Sequence, residues 1–150
     1  MNIRYQQAIL GDITHLLPLV EAFYALENIP FDSKATSEAL EEFIQNPNWG
    51  YLWLIRTHEK LIGYLIVALG YSLEFKGRDA FVDEIFIVKD YRGQGIGSKV
   101  LDFVANHCQA QGIKAFHLEV ARSNEVAQRT YEKLGFEKRT NYFLMTKDLG

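Results

Sequence analysis

Arg92-Gly93-Gln94-Gly95-Ile96-Gly97 sets three glycines at alternate positions between two segments of opposite character. Before it lies the apolar run Ala80–Val88; after it, Val100, Leu101, Val104, Ala105 and Cys108 recur at helical spacing. A loop of this kind commits the chain to a strand that turns directly into a helix. Alternate glycines allow a sharp turn and gather successive N–H groups into one concavity. The helix start adds partial positive charge, so the loop suits a phosphate or pyrophosphate. Arg92 stands at its entrance as a further charged contact.

The rest of the chain supplies a sheet and its covering helices. Residues 2–8 alternate as a strand. Asp12 opens a helical stretch whose Ile13, Leu16, Leu17, Val20, Phe23 and Tyr24 share one face, with Pro18 expected to separate an initial turn from the main helix. A second helix is expected near 36–46. Tyr51–Thr57 and Leu61–Tyr71 read as strands joined through His58-Glu59-Lys60, and Ala80–Val88 as a third. Ala115–Val120 is a strand, and 124–134 a helix closed by Gly135, as Gly112 closes the helix before it. Phe136–Lys138 and Tyr142–Thr146 read as short final strands. The order is β-α-α-β-β-β-α-β-α-β-β, an α/β (α+β) mixed sheet with helices packed on it, in one domain spanning 1–150.

Composition narrows the function. At 150 residues the chain is long enough to bury a core without a metal or disulfide staple. Net charge is −3 with scattered basic residues, which argues against nucleic acid. The longest apolar run, near Leu61–Leu69, is too short to cross a bilayer. The single cysteine and the absence of a leader-like start point to a cytoplasmic setting. His15, His58, His107 and His117 show no metal-like spacing, so no metal is expected. Cys108 lies on an apolar helix face and reads as packing.

Two phosphate motifs fit poorly. Gly97-Ser98-Lys99 has the wrong order for a P-loop, and a dinucleotide fingerprint fails where Ser98 replaces its last glycine. Glu119, about 20 residues on, is the one point favouring an NAD(P)-dependent oxidoreductase. Downstream, Asn124 is a natural helix N-cap, and Tyr131 lies about two turns later, so both can face one cleft.

Together these segments resemble the GNAT superfamily of acetyl-CoA-dependent N-acetyltransferases. The superfamily's [R/Q]-x-x-G-x-[G/A] motif is matched by Arg92, Gly95 and Gly97, and its second motif by Asn124, Ala127, Tyr131 and Gly135-Phe136. Val82–Val88 running into Asp90-Tyr91-Arg92 looks like the family's lead-in, and the resemblance covers essentially the whole chain. It implies fourth and fifth strands that splay around the cofactor. Gly93 to Ser98 would hold the pyrophosphate, and the edge near Ile87 and Val88 the pantetheine arm, with Asn124 also contacting that arm. Tyr131 matches the usual general acid, which protonates the departing thiolate.

The reaction implied is transfer of an acetyl group to a primary amine in a ternary complex. The acceptor is a small molecule or, less readily, a peptide. An ammonium must lose a proton before it attacks, and a nearby carboxylate can take it. Asp83 and Glu84 are the candidates; strand alternation turns them to opposite faces, and Glu84 is preferred. Glu27, Asp32 and Glu74 are expected to border the acceptor pocket and favour a cationic amine. A non-catalytic acyl-CoA-binding module is the rival from outside enzymology. Tyr142–Met145 is an edge at which a homodimer can pair.

Overall fold

The computed structural model describes all 150 residues, and the chain divides into two compact units, Met1–Glu119 and Val120–Gly150. The first contains β1 (Ile3–Gln7), a 3-10 turn (Leu10–Asp12), α1 (Ile13–Leu26), α2 (Ser33–Gln45), β2 (Gly50–Thr57), β3 (Lys60–Ser72), β4 (Gly77–Ile87), α3 (Ile96–Ala110) and β5 (Ala115–His117). The five strands pair in sequence order, antiparallel from β1 to β4, with β5 parallel to β4. This is the expected mixed α/β architecture, without the repeated parallel βαβ units of a dinucleotide-binding sheet.

Register assigns each strand residue to a face. Leu54 lies opposite Tyr64, and Tyr64 opposite Phe86. Leu52, Leu54, Tyr64, Ile66 and Phe86 pack with Ile13, Leu16 and Val20 of α1 and Leu40 of α2 in one core cluster. The other face meets α3. Trp53 sets its ring edge-on to Phe103 and to His107, each with 5.1 Å between centroids, and Tyr5 stacks on Phe103 at 4.1 Å. Val100, Leu101, Val104 and Cys108 are buried, as the helical spacing predicted.

Local chemistry moves two boundaries. Pro18 lies inside α1 without ending it. It forgoes one intrahelical hydrogen bond, while buried Leu16 and Val20 on either side hold the helix against the sheet. The break falls earlier, in the 3-10 turn, where Asp12 accepts from the Ile9 N–H at 2.8 Å rather than capping α1. The second helix starts at Ser33 because Asp32 caps it, accepting from the Ala35 N–H at 2.9 Å. Asp32, expected at the acceptor pocket, thus spends one oxygen on a helix end.

β4 carries a feature that periodicity does not reveal. Ile66 pairs with Glu84 but Val67 pairs with Val82, so Asp83 is an extra residue in a β-bulge. Val82 therefore joins the α3 face while Glu84 joins Phe86 on the α1–α2 face. Strict alternation, which places Val82 and Glu84 together, fails at this point. The β4–β5 ladder also ends early: its last pair is Phe81 with His117, although β4 continues to Ile87. The two strands part where the splay was expected.

In the second unit, α4 (Glu125–Lys133) is capped by Asn124, whose side chain accepts from the Ala127 N–H at 3.1 Å, and is followed by Gly135 at φ +95°. The expected final strands at 136–138 and 142–146 do not form. Alternation gives a segment two faces, but a strand exists only with a ladder partner. Tyr142, Phe143, Leu144 and Met145 are all exposed.

Candidate active site

Glu84 is the centre of the polar chemistry in the first unit. Its carboxylate is half-buried and accepts two phenolic hydrogen bonds. Tyr64 donates to Oε1 at 2.8 Å, and Tyr24 donates to Oε2 at 3.2 Å. The fold explains both contacts. Tyr64 stands diagonally across the ladder from Glu84, within reach of a long side chain. Tyr24 projects from the last turn of α1, which packs on β3 and β4. Phe23 braces the group edge-on to Tyr64 and to Phe86, and Phe31 meets the Tyr24 ring edge-on at 5.9 Å.

The electrostatics follow from this packing. Burial raises the Glu84 carboxyl above its ordinary value; the Tyr64 bond opposes that, the Asp83 charge adds to it, and the Tyr24 bond opposes it again. Asp83 is exposed on the bulge, yet neighbouring apolar atoms also raise its carboxyl. Burial first, then the Glu84 charge, pushes the Tyr24 phenol up to about 12. The wholly buried Tyr64 is driven further in the same direction for the same reasons. Both phenols therefore keep their protons, and remain donors, throughout the neutral range.

Beyond β4 comes a 3-10 turn at Lys89–Tyr91 and then the glycine loop. Gly93 and Gly95 adopt φ of +73° and +76°, a left-handed conformation that other residues resist. Gly97 differs: its φ is ordinary, and a Cβ built on it meets nothing within 4 Å beyond its own helix backbone and chain neighbours. Inside a helix glycine costs about 1 kcal/mol relative to alanine, so the fold alone gives no reason for it. The first α3 hydrogen bond runs from the Lys99 N–H to the Gly95 carbonyl, leaving the N–H groups of Ile96, Gly97 and Ser98 ahead of the ladder. This cradle fits a pyrophosphate.

Arg92 was expected to meet the phosphate. Its Nε instead donates to the Ile87 carbonyl at 2.7 Å, and its guanidinium lies 5.3 Å from the Phe86 ring centroid. Val88 likewise departs from expectation, because its N–H already bonds the Ile62 carbonyl on β3. Alternation then turns the backbone of Ile87 to the other edge, the side left bare where β5 parts from β4. On that edge the Ile87 carbonyl is taken by Arg92, while the Val88 N–H is taken by β3.

In the second unit Tyr131 is half-buried on α4, edge-on to Phe136 at 6.1 Å, and burial raises its phenol above the ordinary value. Asn124 Oδ1 is engaged in capping. Cys108 is buried, with its thiol pushed up to about 11 by desolvation. A cavity of about 380 Å³ lined by Ala105, Cys108, Gln109 and Phe116 includes neither the acids nor the loop. The two partners of Glu84, Tyr24 and Tyr64, were not anticipated from the sequence. The available signal was chemical, since a tyrosine on an apolar face needs a partner for its hydroxyl.

Comparison with known proteins agrees with this fold. The acetyltransferase (GNAT) family model matches residues 20–136. Over 149 residues the chain is 29% identical to the thialysine N-epsilon-acetyltransferase of Mus musculus, covering 93% of this chain and 86% of that one. It is 30% identical over 138 residues to a putative ribosomal protein bS18-alanine N-acetyltransferase of Bacillus subtilis, covering 89% and 82%. An integron cassette protein from the mobile metagenome of Cole Harbour Salt Marsh superposes with a TM-score of 0.85 at 28% identity, over 97% of this chain and 90% of that one. A predicted acetyltransferase from Clostridium acetobutylicum, solved with acetyl-CoA, superposes with a TM-score of 0.78 at 19% identity, over 97% and 96%. The oxidoreductase alternative therefore falls, and with it the ribose role of Glu119. The chain belongs to the GNAT acetyltransferase family: it is an N-acetyltransferase whose acetyl donor is acetyl-CoA.

Proposed function

We propose that the protein acetylates a primary amine of a small molecule by direct transfer in a ternary complex, with Glu84 as the proton acceptor. The observation that carries this reading is the half-buried Glu84 carboxylate on β4, the strand that leads into the glycine cradle. Its half-buried position, with one oxygen bonded to the Tyr24 hydroxyl, suits a slender aminoalkyl group better than a folded protein surface. Asp83 beside it adds negative charge and favours an acceptor that arrives as a cation.

Acetyl-CoA, when bound, supplies an acetyl group activated as a thioester. Gly93 to Ser98 would hold its pyrophosphate, with Arg92 at the loop entrance, and the bare edge at Ile87, together with Asn124, its pantetheine arm. At the acceptor nitrogen, Glu84 Oε removes a proton from the ammonium and frees the lone pair for attack. The Tyr131 hydroxyl gives a proton to the departing sulfur and is reprotonated from solvent, while the nitrogen loses its second proton as the amide forms. Direct transfer is supported by Cys108: the single thiol is buried and held protonated, unsuited to carrying the acetyl group.

The test is thiol release from acetyl-CoA in the presence of thialysine, of other cationic and anionic amines, and of a peptide with the bS18 N-terminal alanine. Turnover of small cationic amines is expected. Preference for the peptide, or for anionic amines, would reject the small cationic acceptor. A burst of thiol without any amine would reject direct transfer.

A further inference from the structure

We propose that Tyr24 and Tyr64 are positioning residues of the acetyl transfer: two phenols from separate elements grip both oxygens of Glu84 and fix the carboxylate as the receiver of the acceptor's proton. The inference rests on the reading of Glu84 given above. Tyr64 reaches Oε1 from β3, wholly buried, whereas Tyr24 reaches Oε2 from α1, half-exposed. Each oxygen of an ionised carboxylate has about two acceptor sites. One on each is filled by a phenol, which leaves one on each for an incoming ammonium.

A carboxylate in this place needs such help. Burial and the adjacent Asp83 charge both favour the protonated acid, which cannot serve as a base. Hydrogen bonds to the charged form oppose them. The groups acting on Glu84 are Asp83 on its own strand, Tyr64 on β3 and Tyr24 on α1. The phenols themselves do not ionise near neutrality, so the grip holds over the working range. The aromatic frame of Phe23, Phe31 and Phe86 holds the rings in place. Two orientations of Glu84 that would differ in where the lone pairs point are thereby reduced to one.

Replacing either tyrosine by phenylalanine keeps the ring and removes only the hydroxyl. The full-length protein is labelled with 13C-glutamate, and Glu84 is assigned from the resonance lost in E84Q. Its titration is then followed in the parent, Y24F and Y64F, beside the pH dependence of kcat/KM for the small amine that the thiol-release screen shows to be turned over. The Glu84 midpoint is expected to rise by about one pH unit in Y64F and by less in Y24F, with its longer bond. The acidic limb of kcat/KM should move with it. A purely structural link between α1 and the sheet would lower the melting temperature without displacing that limb.

A midpoint that stays in place in both variants overturns the grip. A midpoint that moves while the acidic limb does not overturns the positioning role and leaves acetyl transfer standing. Failure of the parent to release thiol with any amine would sink the underlying reading as well. If Y64F does not fold, the half-exposed variant Y24F decides the matter alone.

Discussion

The Nε of Arg92 donates to the carbonyl oxygen of Ile87, five residues earlier, across 2.7 Å. The bond folds the chain between β4 and the glycine loop back on itself, and the guanidinium settles over Phe86. The loop is thus tied to the end of the strand that bears the acids. Arg92 unites two tasks, a directed N–H bond and a planar cation over a ring, that lysine cannot perform together. R92A is expected to weaken acetyl-CoA binding about tenfold, and R92K not to restore it, as read by isothermal titration. Full recovery in R92K would mean that charge alone matters.

Two glycines of the loop should respond in opposite directions. At Gly95, φ +76° strains any side chain, and G95A is expected to cost about 1 kcal/mol of stability. At Gly97 the backbone is helical and the space open, so G97A should gain up to about 1 kcal/mol. It should nevertheless raise the KM for acetyl-CoA, because the added methyl enters the cradle. Denaturant melts and donor kinetics on the same two variants would separate the effects. An unchanged KM in G97A would contradict the assignment of the cradle.

Glu84 should trade stability for function. Its native carboxyl is raised above the ordinary 4.5, so the folded state binds that proton more tightly than the unfolded chain. The stability this contributes is complete below the ordinary value and is lost as pH rises through the native one. E84Q does not ionise. Its melting temperature relative to the parent is therefore expected to improve, by a few degrees, on going from about pH 4 to about pH 7. Its kcat/KM should fall by about 10²-fold or more. A melting difference that is flat with pH would show that the carboxyl titrates alike in both states.

Y131F should lower kcat by about 10²-fold without abolishing turnover, since a thiolate already leaves readily. Burial lifts this phenol above 10.0, so the alkaline limb of the parent profile is expected beyond that pH. The limb should disappear in the variant. Rate profiles over the alkaline range would settle it, and a limb that survives would assign the proton to another group.

Local chemistry was legible in the sequence; distant pairing was not. The glycine loop, the buried stripe of α3, the Asn124 cap and the positive φ of Gly112 and Gly135 all depend on residues a few positions apart. Tyr24 and Glu84 are 60 residues apart and meet only because α1 lies on β3 and β4. The sheet's order and its mixed pairing followed the resemblance. The bulge did not, since β4 is apolar at odd and even positions on both sides of Asp83-Glu84 and its change of phase leaves no visible mark. The unformed strands at 136–138 and 142–146 erred the other way: the pattern was present and the partner was missing.

The extra residue at Asp83 reverses the parity of β4. Ala80, Val82, Glu84 and Phe86 all carry even numbers, yet the first two serve the α3 layer and the last two the α1–α2 layer. One strand thus contributes to two cores in succession, and the handover falls where the carboxylates stand. Counting, rather than chemistry, decides which layer receives them. A chain one residue shorter here would keep nearly every side chain and deliver half the strand to the wrong layer.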